Sequence, residues 1–127
     1  VRVITKAINL FKKMPAAVSL RSIHEMSESA YKCFELNSNG NLKKLSGTIG
    51  NIDDSNRNRQ TFPKTYQANG YVDIIRPSSI RNGYLHDDNT IGFETITCQE
   101  IDTPEDLDYV RFLANTNPKY GLSLGLT

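Results

Sequence analysis

The chain has no tryptophan, two cysteines, almost no charge imbalance and no long apolar run, and each shortage removes a class of protein. Cys33 and Cys98 cannot build a disulfide framework, and with only His24 and His86 beside them they form no zinc-ligand pattern. Both read as buried or half-buried free thiols. Fifteen basic side chains stand against 14 acidic ones, a net charge of +1, so nothing suggests nucleic acid as a partner. No apolar stretch approaches the roughly 20 residues that cross a bilayer. The opening residues 1–14 are amphipathic rather than leader-like, so a soluble, cytoplasmic protein with no membrane partner is expected.

What remains is enough for one small domain. At 127 residues, with 38% hydrophobic and 23% charged, the chain can bury a modest core. It opens on Val1 inside a helical pattern, without a cap ahead of it, which suggests a piece of a longer protein. No internal repeat or low-complexity tract occurs.

Ile4, Ala7, Ile8 and Phe11 recur at helical spacing, with Lys12 and Lys13 favourable at the negative end of the dipole and Pro15 as the stop. Residues 16–23 alternate as a strand, with Val18 and Leu20 on one face and Ser19 and Arg21 on the other. Residues 31–36 form a second strand candidate. The run Asn37-Ser38-Asn39-Gly40-Asn41 predicts a turn into a hairpin partner at 42–45. Residues 47–59 are too polar for a core and read as loop. Residues 71–75 and 91–96 are β-rich and short enough for central strands, with turns at Asn82-Gly83 and Asp87-Asp88-Asn89 between them. Thr103-Pro104-Glu105-Asp106 opens a helix: Thr103 caps, Pro104 suits the first position, and Leu107, Val110 and Ala114 supply an inner face.

Two stretches concentrate polar chemistry. The loop from Arg57 to Gly70 carries Arg57, Arg59, Gln60, Tyr66 and Asn69, donors and acceptors suited to a carboxylate or phosphate and to hydroxyls. It fits an ordinary solvated loop as well. The stretch 99–106 carries Glu100 and Asp102 two residues apart, so that on an extended backbone their carboxylates share a face and can grip a hard cation such as Mg²⁺. Acidic residues ahead of a helix also serve its dipole, and Asp106 suits that role. Lys32 fits a solvated strand face or a guard on an edge strand. His24 and His86 have no partner pattern.

In order along the chain, the Tyr31-Lys32 pair, the run Arg59-Gln60…Pro63…Tyr66…Asn69-Gly70 and the run Ile101-Asp102-Thr103-Pro104-Glu105-Asp106-Leu107 resemble the acylneuraminate cytidylyltransferase family, the CMP-sialic acid synthetases. The resemblance covers about nine tenths of the chain, in order; the stretch 59–70 is its specific part. It implies the C-terminal part of an α/β, Rossmann-like nucleotide-diphospho-sugar transferase fold, with a mixed sheet and a protruding dimerisation extension at about 26–63, exchanged in a homodimer. The glycine-rich loop with which such enzymes wrap a triphosphate has no counterpart here.

The resemblance further implies roles. Lys32 and Arg59 correspond to a basic catalytic pair reaching the neighbouring subunit's site; Gln60, Tyr66, Asn69 and Asp73 fall on the sugar side; and Glu100 and Asp102 correspond to the acidic pair that binds Mg²⁺. Glu100 stands where aspartate is usual, and Asp73 where tyrosine occurs; Tyr84 and Leu85 fall near an aromatic pair. The sugar is then a sialic-acid relative, legionaminic or another nonulosonic acid. The implied reaction is attack of the sugar's anomeric hydroxyl on the α-phosphate of CTP, pyrophosphate leaving, and this chain alone is expected to be inactive. Two other readings stand beside it: a non-catalytic sugar-binding or assembly module on the same scaffold, and a nucleotidyltransferase-like regulator.

Overall fold

The computed structural model describes residues 2–45, 50–98 and 100–117. The order of elements is α1 (Arg2–Lys12), β1 (Ser19–Glu25), β2 (Phe34–Leu36), β3 (Leu42–Lys44), β4 (Tyr66–Ile75), α2 (Pro77–Arg81), β5 (Thr90–Glu94) and α3 (Pro104–Thr116). Short 3₁₀ turns lie at Ala30–Lys32, Asp53–Asn56 and Arg59–Thr61. The result is mixed α/β, with a three-stranded sheet ordered β4-β1-β5 and a separate two-stranded sheet of β2 and β3. β1 runs antiparallel to β4 and parallel to β5, so the main sheet is mixed, as expected.

The predicted first helix forms, but on a rotated face. Ala7 and Phe11 are buried, whereas Ile4 and Ile8 remain exposed and Leu10 packs instead. The core holds Ala7, Phe11, Ala17 and Leu20, with Val72, Ile74, Ile91 and Phe93 from the flanking strands against it. Arg76 ties the end of this helix to the sheet. Its Nε donates to the Ala17 carbonyl at 2.6 Å and its Nη2 to that of Met14 at 3.2 Å, while the guanidinium lies 4.7 Å from the Phe11 ring centre.

Several boundaries move. β1 begins at Ser19 rather than residue 16, because the chain leaves α1 through tight turns in which Lys13 and Met14 donate to Leu10 and Phe11. Residues 71–75 and 91–96 were expected as central strands; instead both flank β1, and β5 stops at Glu94. β4 starts at Tyr66, five residues ahead of the expected strand, so that Tyr66 and Asn69 lie on a strand and not on a loop. The helix α2 starts where only a strand stop was expected, with Pro77 in its first turn.

Lys32, expected on a strand, closes the 3₁₀ turn Ala30–Lys32. The buried hydroxyl of Ser29 accepts from the Tyr31 amide at 3.3 Å, and the Tyr31 ring stacks on Phe62 at 5.6 Å, so local bonds curl the backbone before β2 begins. The hairpin itself forms as the sequence suggests. Asn37 Oδ1 accepts from the amides of Asn39 and Asn41 at 3.0 and 2.9 Å, and Gly40 takes φ 78°. Part of the expected 47–59 loop lies outside the described residues. Among the described residues no helix is long and apolar enough to cross a membrane.

Candidate functional site

The site begins with an irregularity in the sheet. Arg21 pairs with Asp73 and Ile23 with Ala68, so residues 69–72 of β4 stand opposite Ser22 alone. Such a bulge re-aims side chains and needs a permissive residue; Gly70 supplies it with φ 61°. Ser22, fully buried, satisfies the displaced ladder by accepting from the Val72 amide at 2.9 Å. Asn69, 3% exposed, is fixed by its own bonds: Nδ2 donates to Thr95 Oγ1 at 2.7 Å and Oδ1 accepts from the Tyr71 amide at 3.3 Å.

Against this bulge the segment between β5 and α3 folds back and closes a cavity of about 300 Å³. His24, Gln67 and Asn69 line it from the strands; Cys98, Glu100, Asp102 and Asp106 line it from the returning chain. Glu100 approaches so closely that a Cβ on Gly70 would stand 2.7 Å from its Oε1. The carboxylate therefore occupies the room that the missing side chain leaves. Asn69, Glu100 and Asp102, assigned to sugar and metal, thus share one wall system although 31 to 33 residues separate them.

The helix behind them is well capped. Thr103 Oγ1 accepts from the Asp106 amide while Asp106 Oδ2 accepts from the amides of Thr103 and Asp102, at 2.9 and 3.2 Å. The Thr103 hydroxyl also donates to Asp106 Oδ2 at 2.8 Å, and this bond, with the two amide bonds behind it, holds the Asp106 carboxyl below the usual carboxylate range. Asp106 consequently serves the helix, and it fixes the backbone of Asp102 from behind. Burial pushes the Cys98 thiol up, so it is a poor thiolate; Cys33 and Cys98 are both free and half-buried, as expected.

The remaining sequence-predicted residues lie elsewhere. Arg59 and Gln60 line a second cavity, of about 390 Å³, with Glu25, Phe62 and Lys64. There Lys64 Nζ donates to Glu25 Oε2 at 2.6 Å and Arg59 Nη2 to Oε1 at 3.4 Å. The Lys64 hydrogen bond lowers the Glu25 carboxyl, and the same bond raises the Lys64 ammonium. Lys32 lines neither of these two cavities, and Tyr66 sits on β4 with its side chain half open.

Asp73 is on the other face of the sheet. Paired residues share a face and neighbours alternate, so Asp73 goes with Arg21, whereas Gln67 goes with His24 on the side of Leu20. Asp73 lies 3.7 Å from Arg21 and 3.9 Å from His86 Nε2. His86 Nδ1 is 2.9 Å from Ser19 Oγ, which also meets Thr90 Oγ1 at 2.8 Å. This polar network explains how Ser19 is fully buried on a face predicted to be polar. Tyr84 and Leu85 are exposed.

Sequence reasoning missed His24 and Gln67 in the first cavity and Glu25 and Lys64 in the second. His24 had a signal, since the alternation Leu20, Ser22, His24 puts it on the core face of β1. Its Nδ1 is buried without a hydrogen-bond partner. Lys64 and Gln67 lay within the polar stretch 57–70 without being picked out of it, and Glu25 had no signal, because its placement follows from the β1–β4 register. Among the described residues no group of three or more His, Cys, Asp or Glu side chains forms a ready-made metal cluster. Two carboxylates beside a cavity still fit Mg²⁺, which commonly takes one or two protein carboxylates and completes its shell with water and substrate phosphate. No family model matches the chain, and no curated protein matches it.

Proposed function

We propose that this chain is the C-terminal part of a cytidylyltransferase that transfers CMP from CTP to the anomeric hydroxyl of an acidic nine-carbon sugar, on a Rossmann-like nucleotide-diphospho-sugar transferase scaffold. The observation that carries the reading is the convergence of Asn69, Glu100 and Asp102 on one cavity at the β4 bulge. An amide fixed by Thr95 suits a sugar's acyl or hydroxyl groups, and two carboxylates suit a hard cation. Glu100 and Asp102 would hold Mg²⁺, which when bound neutralises phosphate charge as the anomeric oxygen attacks. Asn69 orients the sugar, Gln67 offers a second amide, and the capping box behind Asp102 keeps its backbone in place.

Arg59 sits in the second cavity and not in this one. In the proposed enzyme its charge, with that of Lys32, comes from a second copy through the 26–63 extension, in a cytoplasmic homodimer. The same separation favours the alternative of a sugar-binding or assembly module, since one chain alone brings no cation of the proposed pair to the acidic cavity. The deciding experiment incubates the full-length protein with labelled CTP, Mg²⁺ and a panel of nonulosonic acids. CMP-sugar and pyrophosphate are expected, with loss of product in Asp102→Asn and Asn69→Ala; sugar binding without product would establish the module instead.

A further inference from the structure

The second cavity has an uneven charge count at its centre. One carboxylate, Glu25, bonds two cations, Lys64 at 2.6 Å and Arg59 at 3.4 Å, and Glu94 adds only a weaker electrostatic pull on Lys64. A third cation, Arg57, lies 5.6 Å from the centre of the Phe62 ring, which forms part of the wall, and its own counter-ion Asp54 is 3.7 Å away. The pair around Glu25 is open: the Arg59 side chain is 48% exposed and that of Lys64 66%. Ion pairs this exposed contribute little, so they break readily. About 390 Å³ of space adjoins them, bordered further by the Gln60 amide and by Ser29.

A guanidinium fork beside a lysine is suited to a phosphate, which accepts two parallel bonds from the fork and a third from the ammonium. Glu25 is a single charge divided between both. Its advantage is tethering, which gives it a high local concentration. A free monoanion cannot match that, but a dianion satisfies both cations at once.

We propose that this cavity is a displacement site for a doubly charged phosphate or pyrophosphate group, with Glu25 as an internal counter-ion that the ligand expels from Arg59 and Lys64. The proposal rests on the reading of Arg59 as an anion-contacting group, and it adds Lys64 as the second cation and Glu25 as the competitor. Glu25 also follows His24 directly, on the opposite face of the same strand end. Release of Glu25 therefore occurs one residue from the wall of the acidic cavity.

The test is calorimetric titration of inorganic pyrophosphate into the full chain at low salt, repeated with Glu25→Gln, Arg59→Met and Lys64→Met. Removing the competitor should tighten binding about fivefold, the two cation variants should each weaken it by about as much, and acetate should not compete. Glu25→Gln is nearly isosteric at an open position, and an unchanged thermal midpoint checks that it folds. If Glu25→Gln binds no tighter while both cation variants weaken, displacement is overturned and Arg59 remains an anion contact. If neither cation variant changes affinity, or neither wild type nor Glu25→Gln binds, the site is overturned together with the reading of Arg59.

Discussion

The sheet with α1 and the arm at 26–63 are held by different forces. Around Leu20 the chain buries Ala7, Phe11 and Ala17 and clamps the end of α1 with Arg76. Between 26 and 63 no apolar side chain is buried among the described residues, and only Ser29 is. The arm relies on short-range bonds, the Asn37 turn and the Asp54 carboxylate accepting from the Asn51 amide at 2.8 Å, and on one ring contact across it, the Tyr31–Phe62 stack. A two-stranded hairpin with so little burial is marginal by itself. The cross-strand pair Leu36 and Leu42 even points 71% and 50% of its surface to solvent. The sheet thus carries the apolar burial, whereas the stretch 26–63 is a shape held with almost none.

That contrast can be broken most directly at its centre. Leu20→Ala should cost about 3 kcal/mol, read as a shift of the urea midpoint for the whole chain. Leu36→Ser in the arm should cost under about 0.5 kcal/mol in the same measurement. Equal losses would abolish the distinction.

Gly70→Ala tests the seam where the sheet meets the acidic cavity. Positive φ and a Cβ 2.7 Å from Glu100 Oε1 predict a loss of about 2 kcal/mol, and the proposed Mg²⁺ binding should weaken with it by calorimetry. A tolerated alanine with unchanged cation binding would show that the bulge does not shape the site.

The capping box should be worth about 1 kcal/mol, by Thr103→Ala and thermal denaturation. Its pH dependence has a fixed sign. The Asp106 carboxyl is lowered in the folded chain, so its contribution is complete above the ordinary carboxylate range and is lost as the pH falls through the lowered value. The stability gap between wild type and Asp106→Ala should therefore be widest at neutral pH and close in acid. Smallest of all, Lys43→Met should move the thermal midpoint little, because its partner Glu35 is 3.8 Å away and both are half exposed or more.

The parts of this fold that depend on neighbours in sequence were legible. The Asn37–Gly40 turn and the Thr103 cap rest on side chains that bond backbone amides two to four residues away, so residue type and spacing suffice. The β-run at 71–75 was visible as well, but its start at Tyr66 was not. Tyr66 to Ala68 lacks strand character of its own and is drawn into the sheet by pairing with Glu25, His24 and Ile23. Nor was the curl at Tyr31 and Lys32, where the local Ser29 bonds outweigh the strand-like residue types and Tyr31 stacks on a ring 31 residues away. In the candidate site, Asn69, Glu100 and Asp102 had been singled out for separate reasons, and their meeting was an expectation of the resemblance. The parting of Asp73 from them reflects strand parity, and that of Arg59 its ion pair with Glu25, neither of which a local pattern reports.

The sequence by itself determined the alternation of β1, the tight turn of the arm, the capped start of α3 and the residue types available for binding an anion, a sugar or a cation. Tertiary structure alone decided which of them meet. The bulge opposite Ser22 re-aims Asn69 and makes room for Glu100, and the β1–β4 register sends Asp73 to one face and Gln67 to the other. The physical reason is that caps and turns are closed by bonds within a few residues, whereas a cavity is closed by chain segments whose approach depends on register and burial elsewhere.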